Sequence, residues 1–359
     1  KTDSTMKRLL FTLLALFVVV TINAYQIYPK PQSITTNGGE ITIQNRMNVV
    51  IEEGVNENVK TFITEALEAN GIKPLFKRYV STLKYLYVGV NGSGGEADSY
   101  ATSCGLSRSV FSSGNNKFDP YLLHIANDGT MVILGDNNNS VFYGVSTLRQ
   151  MLNNNHTVTP ATVQDYSYTQ YRGLVEGFYG MPFTVDQILS MLDFFKLYKL
   201  NTFIYGPKAD PYHAGSWDQD YPITLTDAER KKGLLTQDDF RTITAKAKEC
   251  NVNFIWAIHP GLHGGMSFDS KSAMNPGIEK IMDKFDRMYN LGVRGFGVFI
   301  DDMSFVPSAE MTAYLPAQVQ AKLKAKYNTS SATAADKVSP LFFVPTAYSI
   351  AHTTSSLTK

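Results

Sequence analysis

Cysteine is almost missing: Cys104 and Cys250 are the two thiols in 359 residues. Two cannot build a disulfide framework or a cysteine-rich zinc site. They fall in different parts of the chain, so no bridge between them is expected. A net field is missing too, with 33 Lys plus Arg against 32 Asp plus Glu. Nothing draws the chain to nucleic acid as a polyelectrolyte, and no nucleic-acid partner is expected. A ligand must be held by a local site, which suits a neutral polyol or sugar better than a polyanion. Long apolar runs are absent apart from one of 14 residues, Leu9 to Ile22. That is short of the roughly 20 that a spanning helix needs. With Met6-Lys7-Arg8 before it and Thr21-Ile22-Asn23-Ala24 after it, the run reads as a signal peptide over 1–24. Residues 1–5 lie upstream of the expected start, Met6. The expectation is a secreted or periplasmic protein with no stable membrane span after signal removal.

What is present is enough apolar (43%) and aromatic (12%) residue for a sizeable core. The length suggests two domains. From Tyr25 to Asp165, short strands mix with helical stretches. Glu40–Gln44 alternates with period two, and Met47–Glu52 and Tyr85–Val90 are further strands. Val59, Phe62, Ile63 and Leu67 predict a helix over 58–70, and Val141, Val145, Leu148 and Leu152 another over 139–153. Tyr121–Ala126 and Met131–Leu134 flank Asn127-Asp128-Gly129 as a hairpin. Asp136-Asn137-Asn138-Asn139 lacks the downstream Glu of a calcium loop and reads as a helix-capping turn. This predicts a small α+β domain over 25–165 without an acid, base or metal cluster.

Beyond Tyr166 the rhythm becomes strand, loop, helix. Arg172–Gly177, Asn201–Gly206, Asn253–His259, Gly295–Asp301 and Leu341–Pro345 are apolar runs without alternation, as parallel strands buried on both faces require. Thr184 with Gln187 and Thr236 with Asp239 are helix-start signals. Asn275-Pro276 and Leu315-Pro316 are read as the starts of the next two helices, with Gly292 ending the first of these. The first turn lacks G-x-G-x-x-G, so a (β/α)8 TIM-type barrel is favoured over a dinucleotide fold. The overall class is α/β, with the barrel over 166–359. Only about five βα units are visible in those 194 residues, where a full barrel takes about 250. A C-terminally truncated barrel is therefore expected, one that alone is poorly soluble or inactive.

Barrel active sites lie where strands end. Those ends read Glu176-Gly177-Phe178-Tyr179-Gly180, Tyr205-Gly206-Pro207-Lys208-Ala209-Asp210, His259-Pro260-Gly261, Asp301-Asp302 and Pro345-Thr346-Ala347-Tyr348. Asp301-Asp302 is the sharpest signal. Neighbouring strand residues face opposite ways, so both carboxylates reach one cleft only if the chain leaves strand geometry there. Close carboxyls resist joint ionisation, so one pKa is expected to rise, giving an acid and a base. A helix N-cap or a metal site would use the same dipeptide. Lys208, stiffened by Gly-Pro, reads as a donor to ligand hydroxyls or as a solvated loop lysine. Tyr179 and Tyr348 offer a ring and a hydroxyl, as sugar sites require. His213, His259 and His263 read as structural, and no metal or cofactor is expected.

Tyr171–Gly180, Tyr205–His213, Trp256–Gly261 and Phe299–Asp302 together resemble glycoside hydrolase family 84. That family holds β-N-acetylglucosaminidases, including O-GlcNAc hydrolases and hyaluronidase-like enzymes. The segment 25–165 resembles the small domain preceding the barrel there and in family 20 hexosaminidases. The resemblance implies removal of terminal β-linked N-acetylglucosamine from a glycan or glycoprotein. The implied mechanism is retaining and substrate-assisted, through an oxazoline, one of the exceptions to the usual two-carboxylate scheme. By matching, Asp301 orients the 2-acetamido group and Asp302 is the general acid/base. Gly177 (through its backbone), Lys208 and Tyr348 contact the sugar, while Tyr179 and Val344 wall the acetyl pocket. Pro-Thr-Ala-Tyr-Ser stands where the family often has Pro-Thr-Glu-Tyr-Asn, which alters the contacts expected around Ala347 and Ser349. Two other readings stay open, a non-catalytic glycan-binding fragment and a metal-dependent barrel hydrolase.

Overall fold

The structure is a computed structural model and describes residues 25–112, 114, 116–152 and 156–347. The expected signal peptide, 1–24, and Tyr348 and Ser349 lie outside the described residues.

The first half builds one mixed sheet. In chain order its elements are β1 (Ser33–Thr36), β2 (Ile41–Thr42), β3 (Arg46–Ile51), α1 (Glu57–Glu68), β4 (Lys73–Leu75), β5 (Tyr85–Val90) and α2 (Glu96–Ser103). Then come β6 (Phe118–Ile125), β7 (Met131–Gly135), α3 (Asn138–Met151), β8 (Thr157–Val158) and β9 (Ala161–Ser167). Seven strands pair in the order β1-β9-β6-β7-β5-β3-β4, while β2 and β8 form a separate antiparallel pair. The expected hairpin is β6–β7, antiparallel. Period-two alternation sorts its side chains onto two faces. Leu123 and Ile133 pack under α1 and α3, against Phe62, Ile63, Val141 and Val145. Leu122 and Val132 face the other way, under Ala97 and Ala101 of α2. The Asn137 side chain accepts from the Ser140 N–H and so caps α3, as the turn reading expected. The strand expected over 40–44 shrinks to two residues, since its partner β8 is equally short.

The second half is a curled parallel sheet, a half-barrel. It runs β10 (Gly173–Glu176), α4 (Val185–Tyr198), β11 (Thr202–Tyr205), α5 (Asp227–Arg230), α6 (Gln237–Glu249) and β12 (Asn253–Ile258). It continues through α7 (Lys271–Asn290), β13 (Gly295–Phe299), α8 (Ala309–Tyr327) and β14 (Phe342–Val344), with the strands in sequence order. Capping boxes at Thr184–Gln187 and Thr236–Asp239 open α4 and α6. Phe203, Tyr205, Phe254, Trp256, Phe296 and Val298 pack outward on these helices. Ile204, Ile255, Ala257 and Phe299 pack on the inner face with Phe342 and Val344.

Three expectations are corrected. The helix α7 does not begin at Asn275-Pro276: the Ser270 side chain caps it, accepting from the Ala273 N–H, and Pro276 lies inside. Likewise α8 is capped by Ser308, which accepts from the Met311 N–H, and Pro316 lies inside. Each proline removes one internal N–H, but Pro276 is exposed and Pro316 half-buried, and they stand sixth and eighth in their helices. The third concerns β10, expected to be buried on both faces. Leu174 is 37% and Val175 54% exposed, because β10 pairs only with β11 and is a sheet edge among the described residues.

The two sheets are tied by polar contacts rather than by a shared apolar core. Ser146 of α3 donates to the Lys196 carbonyl of α4 (2.9 Å), and Arg172 pairs with Asp119 (2.8 Å). Lys199 Nζ lies 2.9 Å from both Asp165 Oδ2 and Tyr121 Oη, with all three residues buried. Among the described residues no helix is long and apolar enough to cross a membrane.

Candidate active site

Regular pairing in β13 stops at Phe299, and the next three residues are placed by specific bonds. The Ile300 N–H donates to the Val344 carbonyl (2.9 Å), and Thr346 Oγ1 donates to the Ile300 carbonyl (2.5 Å). Asp302 then adopts φ +56°, a left-handed conformation that costs most residues about 1–2 kcal/mol and Asp less. The chain does leave strand geometry at the dipeptide, and the two carboxylates enter different environments.

Asp301 is half-buried and gripped. Lys208 Nζ donates to its Oδ1 at 2.8 Å, and the Lys208 side chain is 1% exposed. His259 is fully buried; its Nε2 lies 3.4 Å from the same Oδ1 and hydrogen-bonds the Asp301 main-chain carbonyl. Burial by itself would raise this carboxyl's pKa. The hydrogen bonds from His259 and Lys208, with the Lys208 charge, outweigh burial and hold it at about 2. The increase expected from carboxylate repulsion is therefore reversed at Asp301. Asp302 is exposed, and the Tyr179 hydroxyl donates to its Oδ2 at 3.3 Å. Partial desolvation and the Asp302 charge push that phenol up.

The neighbouring loops explain how Lys208 gets there. The Gly206 N–H donates to the Glu176 carbonyl (2.9 Å) and the Lys208 N–H to the Phe178 carbonyl (3.1 Å), linking the loops after β11 and β10. A Cβ on Gly206 would fall 2.9 Å from the Phe299 ring and 3.1 Å from His213, so only glycine fits. Below, Asp210 is wholly buried and accepts from Tyr205 (2.7 Å) and Tyr221 (2.6 Å) hydroxyls and the Tyr212 N–H (2.8 Å). The Lys208 ammonium lies 5.8 Å from the Phe299 ring centroid, so the loop-lysine reading gives way to a buried, paired lysine.

Lys208, Asp301, Asp302 and Tyr179 are thus linked, with partly buried Gly177 in the same loop as Tyr179. Val344 lines the inner face beside Phe299. Tyr348 lies outside the described residues. His259 was read as structural, yet it touches Asp301; its position directly after β12, in His-Pro-Gly, was the available signal. His213, also fully buried, donates through Nδ1–H to the Ala257 carbonyl (2.8 Å), and burial holds it at about 3. Glu176 was missed as well. It ends β10 wholly buried, and burial pushes it up to about 7.

A cavity of about 1240 Å³ lies elsewhere, at the opposite strand ends by Asn201 and Asn253. It marks the junction of the two sheets, whereas the carboxylates sit on the open side of a half-barrel. The metal-binding residue types that cluster among the described residues, Asp193, Glu249 and Cys250, lie on the outer helices. Lys246 Nζ already sits 2.8 Å from Asp193 and 2.7 Å from Glu249.

Residues 172–359 match the family model described as beta-N-acetylglucosaminidase, and residues 24–166 match glycosyl hydrolase family 20, domain 2. The Protein O-GlcNAcase of Rattus norvegicus is 30% identical over 131 residues, covering 36% of this chain and 12% of the rat protein. The Mus musculus protein of the same name matches equally. The solved structure titled CpGH84D superposes with a TM-score of 0.76 at 28% identity, covering 93% of this chain and 52% of that one. CpGH84B, at TM-score 0.67, 24% identity, 90% of this chain and 51% of its own, shares the fold. The chain thus spans about half the length of those solved structures and a smaller part of the curated relatives. On the match over its second half, it belongs to the β-N-acetylglucosaminidase family, glycoside hydrolase family 84.

Proposed function

We propose that the protein is a glycoside hydrolase that removes terminal β-linked N-acetylglucosamine from a glycan or glycoprotein. The mechanism is retaining and substrate-assisted. The observation that carries this is the unequal setting of two adjacent carboxylates, one locked between Lys208 and His259, the other exposed beside Tyr179. A carboxylate with a pKa of about 2 is ionised at any working pH. Asp301 is therefore ready to accept a hydrogen bond from an acetamido N–H and aim the acetyl oxygen at the anomeric carbon. If Lys208 turns to a sugar hydroxyl on binding, Asp301 loses its cation, its basicity rises, and it takes up the N–H proton as the oxazoline closes. Asp302 protonates the departing glycosidic oxygen, then deprotonates the water that attacks the anomeric carbon and opens the oxazoline, while Asp301 returns its proton to the acetamido nitrogen. Gly177 meets the sugar through its backbone, Tyr179 and Val344 wall the acetyl group, and Tyr348 completes the contacts.

The same reading takes 25–165 as the small domain and 166–359 as part of a (β/α)8 barrel, exported behind the segment 1–24. A binding-only role draws on the half-barrel, which would grip a sugar from one side.

Turnover of 4-nitrophenyl β-N-acetylglucosaminide separates the two. The wild type should hydrolyse it with retention, and Asp301→Asn should abolish this. Asp302→Asn should cost about 100-fold or more on an alkyl glycoside, which needs acid assistance, and less on the nitrophenyl one. Binding without turnover would leave the lectin-like role, and loss of activity to a strong chelator would favour the metal hydrolase.

A further inference from the structure

We infer that His259 is a positioning residue for the carboxylate pair. Its ring holds the peptide between Asp301 and Asp302 in the orientation that sends one carboxylate to Lys208 and the other to Tyr179. The inference rests on the glycosidase reading above for its consequence, but not for its geometry.

The carbonyl that His259 grips belongs to the peptide whose nitrogen is that of Asp302. Fixing that peptide plane fixes ψ of Asp301 and φ of Asp302 together. The φ it selects, +56°, is one that side-chain-bearing residues rarely adopt unaided. A carbonyl can only accept, so Nε2 of His259 carries the proton. Its Nδ1 is buried without a hydrogen-bond partner in the structure. The ring cannot drift, because it is wholly enclosed at the end of β12. Its own main-chain N–H donates to the His213 carbonyl (2.8 Å), and the His213 ring meets it edge-on at 6.1 Å. On the near side of the dipeptide, Ile300 is fixed to β14. The titratable groups facing Asp301 are Lys208, His213, His259 and Asp302, with Tyr179 beyond.

The test compares wild type with His259→Phe, His259→Asn and His259→Gln in the full chain. Glutamine places an amide N–H near the Nε2 position, while asparagine does not reach it. Two readouts are taken: kcat and KM on the nitrophenyl glycoside, and the Asp301 carboxyl titration by ¹³C NMR, assigned with Asp301→Asn. Phe and Asn should lower kcat about 100-fold with KM within about threefold, as misplacement of reacting groups does. Both should also raise the Asp301 titration midpoint, and Gln should restore kcat to within about tenfold of wild type. A Phe or Asn variant with kcat within twofold and an unmoved titration overturns the proposal, as does Gln no better than Asn. If Phe fails to fold, the Asn–Gln contrast decides. If the wild type turns over no sugar, the glycosidase reading falls, while the titration still decides the role of His259.

Discussion

Glu176 offers a test of the electrostatics beneath the site. It is wholly buried, its Oε1 accepts the Phe183 N–H at 2.7 Å, and its Oε2 has no partner. Burial first, and the nearby Asp210 charge after the opposing Phe183 bond, raise its pKa from 4.5 to about 7. Between those values the folded state holds a proton that the unfolded chain releases, so stability falls as pH rises through the window. The full effect, reached above pH 7, is about 3 kcal/mol. Glu176→Gln keeps the shape and the acceptor for Phe183 but never ionises. Urea unfolding at pH 5, 6.5 and 8 should find the variant within about 1 kcal/mol of wild type at pH 5 and more stable by about 3 kcal/mol at pH 8. Lys284, buried over the rings of Tyr221 and Trp256 and pulled down to about 7 mainly by burial, does not mimic this. Its folded state binds fewer protons than the unfolded one between 7 and 10.5, so its contribution rises with pH and lies higher. A wild-type-to-variant difference that does not change from pH 5 to 8, or changes with opposite sign, would refute the reasoning.

Two further outcomes concern how the sheets and helices are held. Lys199→Met should cost about 3–5 kcal/mol, because Asp165 would stay buried without its cation. Adding Asp165→Asn should recover most of that loss, and thermal unfolding of the single and double variants decides it. Ser308→Ala should cost about 1 kcal/mol in urea unfolding by removing the cap of α8. A loss near zero would place the helix start back at Leu315-Pro316.

Much of the half-barrel was legible because its signals are local. Glu176, Tyr205, Ile258 and Phe299 end their strands within two residues of the expected points, and the Thr184 and Thr236 boxes open their helices. The prolines misled because position in the chain does not say which way a ring faces. Pro276 is exposed and Pro316 half-buried, neither being packed into the core, and plain serines do the capping. The strand β9, which pairs with both β1 and β6, escaped notice because its pattern is weak and its partners are over 30 residues away in sequence.

The carboxylates and Lys208 were readable as residue types at strand ends, but the force acting on them was not. From the dipeptide alone, mutual repulsion is the largest interaction in view, and it predicts a raised pKa. In the fold, Asp301 meets a buried ammonium at 2.8 Å and an imidazole N–H, which outweigh burial and set its pKa low. Neither partner is near in sequence: Lys208 is 93 residues away and His259 is 42. Moreover, what His259 binds is a main-chain carbonyl, which every residue owns, so no residue type betrays it. The sign of the perturbation at a paired acid is thus set by how many donors the fold delivers to it. Replacing Lys208 by Met would leave the His259 bond opposed by burial, and Asp301 would move back toward ordinary carboxylate values.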